Sequence, residues 1–163
     1  MKVLISAPYF QPVIDRFQPV FKENSIEVIV PTVHERLSEK DLLSLIGDID
    51  GVICGDDGFT EKVLSQAPRL KVISKWGTGI DSIDQEAGRK HGVHLRNTPN
   101  AFTLPVSDTV LAYALAFARN VARMDRAMKS GEWKKIPGFS LSECTFGIIG
   151  LGNIGSAVAR RVK

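Results

Sequence analysis

Apolar residues along the first hundred positions follow two periods, one typical of buried strands and one typical of helices. Short apolar runs predict five strands, at residues 2–6, 26–30, 51–54, 70–74 and 93–95. Between them, apolar residues recur at helical spacing and predict helices at residues 13–22, 38–47, 60–66 and 82–91. Strands that alternate with helices in this way predict an α/β fold with a doubly wound parallel sheet of flavodoxin-like type.

The apolar pattern changes after residue 103. A wide apolar stripe predicts a long helix over residues 105–120, and a second helical piece runs to Ser130 and stops at Gly131. A connector rich in Lys, Pro and Gly then leads to residue 145. Long helices followed by such a connector are typical of the junction between two domains.

A glycine motif follows another predicted strand near the end of the sequence. Residues 145–149 form an apolar, β-branched run that predicts a buried strand, and a helical pattern begins at Asn153. Between them, Gly150, Gly152 and Gly155 form G-x-G-x-x-G. In this context the glycines predict a dinucleotide site, with a tight turn, a close approach to the pyrophosphate and close helix packing. An ordinary glycine-rich turn is the alternative.

The dinucleotide-binding unit is incomplete in this sequence. Such a unit takes about 30 residues and has an acidic residue ~20 positions beyond its glycines. We therefore expect residues 144–163 to be the opening of a nucleotide domain that is cut off. Because the predicted strand would then lack neighbours, we expect this segment to pack against a second copy, which predicts a homodimer.

The loop after the fourth predicted strand is a candidate anion site. Gly77 and Gly79 free the backbone to point successive N–H groups into one concavity, Thr78 adds a hydroxyl, and Lys75 adds a positive charge. These groups suit a carboxylate or a phosphate. A plain glycine turn, with Asp81 or Ser82 capping the next helix, explains the spacing equally well.

Two other loops carry polar residues to the same predicted edge of the sheet. Asp56 and Asp57 could form an acid–base pair, but a solvated turn is the favoured interpretation. Residues 97–100 could hydrogen-bond a ligand or only build their turn, and the sequence leaves that choice open.

Composition narrows the class of protein. The chain has 163 residues, 44% hydrophobic and 24% charged, with a formal net charge of +3 and no basic run, so nucleic-acid binding is not expected. Cys54 and Cys144 are far apart, and we expect two reduced thiols in a cytoplasmic protein. No metal-ligand spacing occurs, and no apolar stretch approaches the 18 residues of a membrane span.

Taken together, these motifs resemble the D-isomer-specific 2-hydroxyacid dehydrogenases, the phosphoglycerate dehydrogenase branch in particular. The matching segments are LKVISKWGTGIDSID, HGVHLRNTPN, FARNVARMDRAMKSGEW and TFGIIGLGNIGSAVARR. The resemblance implies a substrate domain at about residues 1–100 and hinge helices with a connector at 101–143. The start of an NAD-binding Rossmann domain would then occupy residues 144–163.

The resemblance also implies roles for individual residues. Gly77, Thr78 and Gly79 would hold the substrate carboxylate, with Thr78 also near the nicotinamide, and Lys75 would meet the far end of the substrate. Val106 would pack on the nicotinamide. The remaining cofactor-binding positions implied are Gly150, Gly152, Asn153, Ile154 and Gly155.

The sequence departs from the family pattern at one site and lacks part of another. It has Ser107 and Asp108 where the family usually has Ala-Glu, which leaves the role of that acid open. The catalytic Arg, Glu and His of the family match no residue up to Lys163. We therefore expect the 163-residue chain alone to be inactive.

The activity implied by the resemblance is hydride transfer between NAD and a small anionic 2-hydroxy or 2-keto acid, with 3-phosphoglycerate as a candidate and NADP left open. A nucleotide-sensing corepressor without turnover is the alternative, since some members of the family act in that way. A flavodoxin-like receiver module is disfavoured because residues 7–9, Ala-Pro-Tyr, are not acidic.

Overall fold

A computed structural model describes residues 1–163. The chain forms two compact units, Met1–Pro99 and Asn100–Lys163.

The first unit is built on a five-stranded sheet in which every strand pair is parallel. The strands occur in the order β2-β1-β3-β4-β5. This order is the flavodoxin-like one, so the predicted doubly wound parallel sheet is confirmed. The strand bounds are β1 Lys2–Ile5, β2 Glu27–Ile29, β3 Gly51–Cys54, β4 Val72–Lys75 and β5 His94–Arg96.

Each face of this sheet packs against its own hydrophobic core. Side chains of a strand alternate between the two faces, so neighbouring residues of β1 belong to different cores. Leu4 belongs to the larger core, together with Val52 and Ile73 from the neighbouring strands. Val3 and Ile5 belong to a smaller core on the other face. Four helices complete the unit: α1 Gln18–Glu23, α2 Glu39–Leu45, α3 Glu61–Ser65 and α4 Gln85–Lys90.

Side chains cap two helices of this unit at their N-termini. At α2, Ser38 and Asp41 form a reciprocal capping box, with Asp41 N donating to Ser38 Oγ at 3.2 Å and Ser38 N donating to Asp41 Oδ2 at 3.1 Å. At α3, Thr60 Oγ1 accepts from Val63 N at 3.4 Å. Each cap satisfies an N–H group that the helix itself leaves unpaired.

The prediction of a single helix over residues 13–22 is wrong. The chain instead makes a 3-10 helix at Gln11–Phe17 and then α1 from Gln18. Pro19 lies in the first turn of α1, where the missing N–H has no intrahelical partner to lose. The proline therefore stands at the start of a new helix and not in the interior of a longer one.

The start of α4 was also predicted wrongly. The helix begins at Gln85, and Asp84 caps it by accepting from Ala87 N at 2.9 Å, so neither Asp81 nor Ser82 is the cap. Asp81 and Ser82 instead form a turn, in which Ile83 N donates to Ile80 O at 3.1 Å, and Ile83 makes an isolated parallel bridge with Phe59. A competing tertiary pairing thus shortens the predicted helix.

The second unit consists mainly of three helices, α5 Thr103–Ala118, α6 Val121–Lys129 and α7 Asn153–Val162. Asn120 separates the first two with a left-handed φ of 54°. Gly131, with φ of 80°, follows α6, as its predicted helix-stop position requires.

The strand predicted at residues 145–149 is absent. The segment is irregular and pairs with no other strand of the chain. Phe146 and Ile149 are exposed, as expected for a segment without a covering sheet, whereas Ile148 is half-buried. A strand is defined by hydrogen bonds to a neighbour, so an apolar, β-branched sequence does not produce one by itself.

Candidate functional site

The loop that follows β4 presents a row of unpaired backbone donors. The N–H groups of Gly77, Thr78 and Gly79 donate to no acceptor in the chain, whereas Trp76 N donates to Cys54 O at 2.9 Å. Thr78 and Gly79 are exposed, and Gly77 is buried. Three successive free donors at the carboxyl edge of a parallel sheet can bind an anion.

This loop is held in place by the loop that follows β5. Asn97 Nδ2 donates to Thr78 O at 2.7 Å, and Thr98 N donates to Gly77 O at 2.9 Å. Thr78 Oγ1 donates to Thr98 O at 3.0 Å, so the hydroxyl proton is already engaged in a hydrogen bond within the protein. Asn97 and Thr98 therefore build the turn.

The glycines of the loop are not required for a left-handed backbone. Neither Gly77 nor Gly79 has a positive φ. A Cβ at Gly77 would lie 3.2 Å from Lys75 Cε, while one at Gly79 would meet only Asp81 Oδ2, at 3.6 Å. What Gly79 provides is open space in front of the free amides, and not the special conformation that we expected from the sequence.

Lys75 lies at the end of β4, almost entirely buried, and its charge is already paired. Its Nζ donates to Gly55 O at 2.5 Å and to Asp56 Oδ1. The side chain of Lys75 is 5% exposed, whereas that of Asp56 is 78% exposed. The positive charge is thus held beneath the surface by a carboxylate that faces water.

Asp56 and Asp57 have separate roles and do not form an acid–base pair. Asp57 is fully buried, which makes the favoured interpretation of a solvated turn wrong for this residue. Its carboxylate accepts from Ser6 Oγ and from Leu37 N, both at 2.6 Å. Asp57 therefore links the end of β1 to the segment before α2, and it supports the edge of the sheet from within.

Cys54 is a buried thiol at the end of β3 and takes no part in this chemistry. Burial, and secondly the charge of Asp57, raise the pKa of its thiol to about 12. A thiol with so high a pKa forms almost no thiolate at neutral pH, so it is neither a nucleophile nor a metal ligand.

The second unit carries the glycine turn at the start of α7. Gly150 has φ of 90°, a conformation that side chains strongly disfavour. A Cβ at Gly155 would lie 2.0 Å from Gly150 O, so the helix approaches the turn as closely as only glycine permits. Nothing lies within 4 Å of a Cβ built at Gly152, which leaves open space at the helix N-terminus.

The first turn of α7 offers free donors at this opening. The N–H groups of Asn153, Ile154 and Gly155 donate to no acceptor in the chain, and the first helical bond runs from Ser156 N to Gly152 O at 2.8 Å. Free N–H groups and the positive end of the helix dipole favour an anion there. A polar cavity adjoins the turn, lined by Asn100, Thr103, Leu104, Asn153, Ser156 and Arg160.

Two polar contacts join α7 to the start of α5. Asn153 Nδ2 donates to Asn100 Oδ1, and Arg161 Nε donates to Asp108 Oδ1 at 3.0 Å. Asp108, whose role the sequence left open, is therefore an ion-pair partner of α7. Asn100 was not identified as a contact residue from the sequence, although Asn is the side chain that most often adopts its left-handed φ of 65°.

The remaining predicted positions of the second unit also lie on α5 and α7. Val106 is on the first turns of α5 and Ile154 on the first turn of α7, and both side chains are partly exposed. The neighbouring Ser107 is fully buried, with Oγ donating to Leu104 O at 2.8 Å. Ser107 therefore faces the interior, whereas the neighbouring Val106 is partly exposed to solvent.

Comparison with known protein families shows to which of them the chain belongs. The model of the D-isomer specific 2-hydroxyacid dehydrogenase catalytic domain matches residues 3–156. The chain belongs to this family, as the sequence motifs indicated.

Several characterised relatives match most of the chain. The glyoxylate reductase of Pyrococcus furiosus is 33% identical over 151 residues, which are 86% of this chain and 45% of that protein. The D-3-phosphoglycerate dehydrogenase of Methanocaldococcus jannaschii is 34% identical and is matched by 100% of this chain over 30% of its own length. The chain therefore spans less than half the length of these relatives.

Solved structures show the same fold. A Thermus thermophilus protein superposes with a TM-score of 0.86 at 32% identity, covering 99% of this chain and 52% of that one. The D-lactate dehydrogenase of Aquifex aeolicus, crystallised with NAD and lactic acid, superposes with a TM-score of 0.82 at 25% identity, covering 99% of this chain and 48% of that one.

The chain has neither a cluster of metal ligands nor a helix suited to crossing a membrane. No group of three His, Cys, Asp or Glu side chains is arranged to hold a metal ion. None of the helices combines the length and the apolar character needed to cross a membrane.

Proposed function

We propose that this chain is the N-terminal portion of an NAD-dependent oxidoreductase that interconverts a small 2-hydroxy acid and its 2-keto acid. The observation that carries the proposal is the row of three unpaired N–H groups at Gly77, Thr78 and Gly79 in a member of this family. They would bind the carboxylate common to every 2-hydroxy and 2-keto acid.

NAD fits the residues at the start of α7. The free amides of Asn153 and Ile154 would receive the pyrophosphate, and the open space at Gly152 would let it approach the backbone. When bound, the nicotinamide would supply or accept the hydride. Val106 would offer it an apolar surface from α5.

The contribution of the Gly77–Gly79 loop would be to fix the orientation of the acid. Amides that the protein leaves unpaired need no rearrangement to bind a carboxylate, so the reacting carbon would be held at a defined position. The contacts from Asn97 and Thr98 keep the loop in that geometry.

The activity is tested with the full-length protein. We expect keto-acid-dependent oxidation of NADH, with glyoxylate and a phosphorylated 2-keto acid as the first substrates, because the relatives include a glyoxylate reductase and a phosphoglycerate dehydrogenase. Nucleotide binding without turnover of any 2-keto acid would refute the proposal and favour the nucleotide-sensing corepressor.

The carboxylate site is tested by Gly79→Val in the full-length protein. The new side chain would occupy the open space before the amides, so the KM for the acid should rise at least tenfold while the KM for NADH stays within about twofold. Gly47→Val is the control, since a Cβ at Gly47 meets nothing within 4 Å and Gly47 lies outside this loop. An unchanged KM for the acid would remove the substrate role from this loop.

We further propose that the protein is a homodimer associated through α5. Tyr113 and Phe117 lie four residues apart on one face of this helix and are 73% and 78% exposed. Adjacent exposed aromatic side chains of this size are typical of interfaces. Light scattering should give twice the monomer mass, and Phe117→Ser should reduce it; a monomer before substitution would contradict the proposal.

A cytoplasmic location is part of the same proposal. Cys144 is an exposed free thiol, and such a thiol persists in a reducing compartment.

A further inference from the structure

The strongest unexplained feature of the first unit is the ion pair between Lys75 and Asp56. The ammonium group is buried, but its carboxylate partner is 78% exposed. Apart from Asp56, the only acceptor of Lys75 Nζ is the backbone oxygen of Gly55. One of the three N–H bonds of the ammonium group therefore has no protein acceptor.

The charges at this edge do not favour a second anion. Lys75 contributes one positive charge, while Asp56 and the fully buried Asp57 contribute one negative charge each. Around the end of β4, the protein therefore carries a net negative charge. An anionic group that reached Lys75 would first have to replace the carboxylate of Asp56, since the two would compete for the same cation.

We propose that Asp56 is a specificity-determining residue that occupies, with its own carboxylate, the place of a second anionic group of the substrate at Lys75. The inference rests on the proposed function, because it concerns the acid bound by the neighbouring Gly77–Gly79 amides. Lys75 Cε lies close to this loop, at 3.2 Å from a Cβ built on Gly77. A substrate that spans both places needs one carboxylate and a second charged group.

The consequence is a preference among acids. With Asp56 in place, an acid with a single carboxylate neither reaches Lys75 nor has to displace Asp56. Its free energy of binding is therefore unaffected by this ion pair. Acids with a second anionic group, such as phosphorylated 2-keto acids, must displace Asp56 and also approach the charge of Asp57. The native protein should therefore prefer the acid with one anionic group over the acid with two.

The test compares two substrates in the full-length protein and in its Asp56→Asn variant. We measure kcat/KM for glyoxylate and for phosphohydroxypyruvate, and take their ratio. Removing the competing carboxylate should shift this ratio about two- to fivefold towards phosphohydroxypyruvate, the range expected for loss of a partly exposed ion pair. The KM for NADH should remain unchanged.

Two further variants make the result specific. Asp48→Asn removes the same charge from a similar exposed pair, Asp48 with Lys2 at 2.6 Å, and should leave the ratio unchanged. Lys75→Met in the Asp56→Asn background should abolish the gain. If Asp56→Asn leaves the ratio unchanged, or if Asp48→Asn shifts it equally, the specificity role is wrong. Absence of turnover with these two acids and with every other 2-keto acid tried would instead refute the proposed function.

Discussion

Three glycines before and within α7 are glycine for different physical reasons. Gly150 needs its left-handed φ, Gly155 needs the absence of a Cβ against Gly150 O, and Gly152 has neither constraint. The fold therefore explains two of the three positions. The third is the position proposed to admit the pyrophosphate, which allows folding and the proposed binding to be separated by substitution.

Gly155→Ala should destabilise the protein. Its Cβ would lie 2.0 Å from a backbone oxygen that cannot rotate away, so the helix start must move. We expect the free energy of unfolding to fall by about 1–3 kcal/mol in urea denaturation. Gly147→Ala is the control, because nothing lies within 4 Å of its Cβ. Equal stability of the two variants would show that the close approach is absent.

Gly152→Ala should affect binding without affecting folding. The new methyl group meets no protein atom within 4 Å, so the melting temperature should stay within a degree or so of the native value. If the pyrophosphate approaches here, the Kd for NAD should rise about tenfold, or about 1.4 kcal/mol. Calorimetric titration of the full-length protein measures this, and an unchanged Kd would place the pyrophosphate elsewhere.

Asp57→Ala should be among the most damaging single changes in the first unit. It removes two hydrogen bonds to a buried carboxylate and leaves Leu37 N without an acceptor. We expect a loss of about 2–3 kcal/mol in the free energy of unfolding, whereas Asp56→Ala should cost much less because Asp56 is exposed. Similar losses for both variants would contradict the separate roles given to the two residues.

The sequence identified the loops that form the candidate site but not what their residues contact. The loop 77–79 and the glycines of the α7 turn were found from local spacing, because strand ends and glycine motifs are local signals. The burial of Asp57 and the pairing of Lys75 depend on partners 51 and 19 positions away. No local pattern encodes contacts at that separation.

Between elements, Asp50 joins the starts of β1 and β3. It stands just before β3, its carboxylate accepts from Lys2 N at 2.7 Å, and Arg69 donates to both of its oxygens. The backbone N–H of Lys2, and then the Arg69 guanidinium, lower the pKa of Asp50 below its ordinary value of 3.8. The ionised form is therefore stabilised by the fold.

This pKa shift predicts how stability depends on pH. Because the folded-state pKa is lowered, the contribution of Asp50 is complete above 3.8 and is lost as the pH falls through the folded-state pKa. Urea denaturation between about pH 2 and pH 5 should show stability falling on acidification, with a smaller slope below about pH 4 in Asp50→Asn. An identical slope in the variant would mean that other carboxylates carry the acid sensitivity.

The elements themselves were predicted well where their cause is local. Short apolar runs alternating with helices predicted the five strands of a flavodoxin-like sheet, and Ser38 and Thr60 stand at the N-caps of the helices predicted from positions 38 and 60. The errors came where another element decides the outcome. The bridge of Phe59 with Ile83 shortened α4, and residues 145–149 had no strand to pair with.

At the scale of the whole molecule, Asn100 is the first residue of the second unit and one of three residues other than glycine with a left-handed backbone. Its side chain contacts Asn153 at the start of α7. The residue where one unit gives way to the next therefore also holds the helix end proposed to bind the pyrophosphate.

Two substitutions at Asn100 should separate its backbone from its side chain. Asn100→Gly tolerates φ of 65° and loses only the contact with Asn153, while Asn100→Ala loses the contact and also strains the backbone. We expect the alanine variant to be less stable than the glycine variant by about 1 kcal/mol in thermal unfolding. The reverse order would mean that the left-handed conformation is not held in solution.

The bridge between Phe59 and Ile83 has a consequence for hydrogen exchange. Phe59 N donates to Ser82 O at 3.0 Å and Asp84 N donates to Phe59 O at 2.9 Å, so both amides should exchange slowly although they lie outside the sheet. The exposed amides of Thr78 and Gly79, on the loop after β4, should exchange with solvent almost as in an unfolded chain. Protection that appears at these two amides when a carboxylate is added, with no change at Phe59 and Asp84, would let the occupied site be seen by exchange alone.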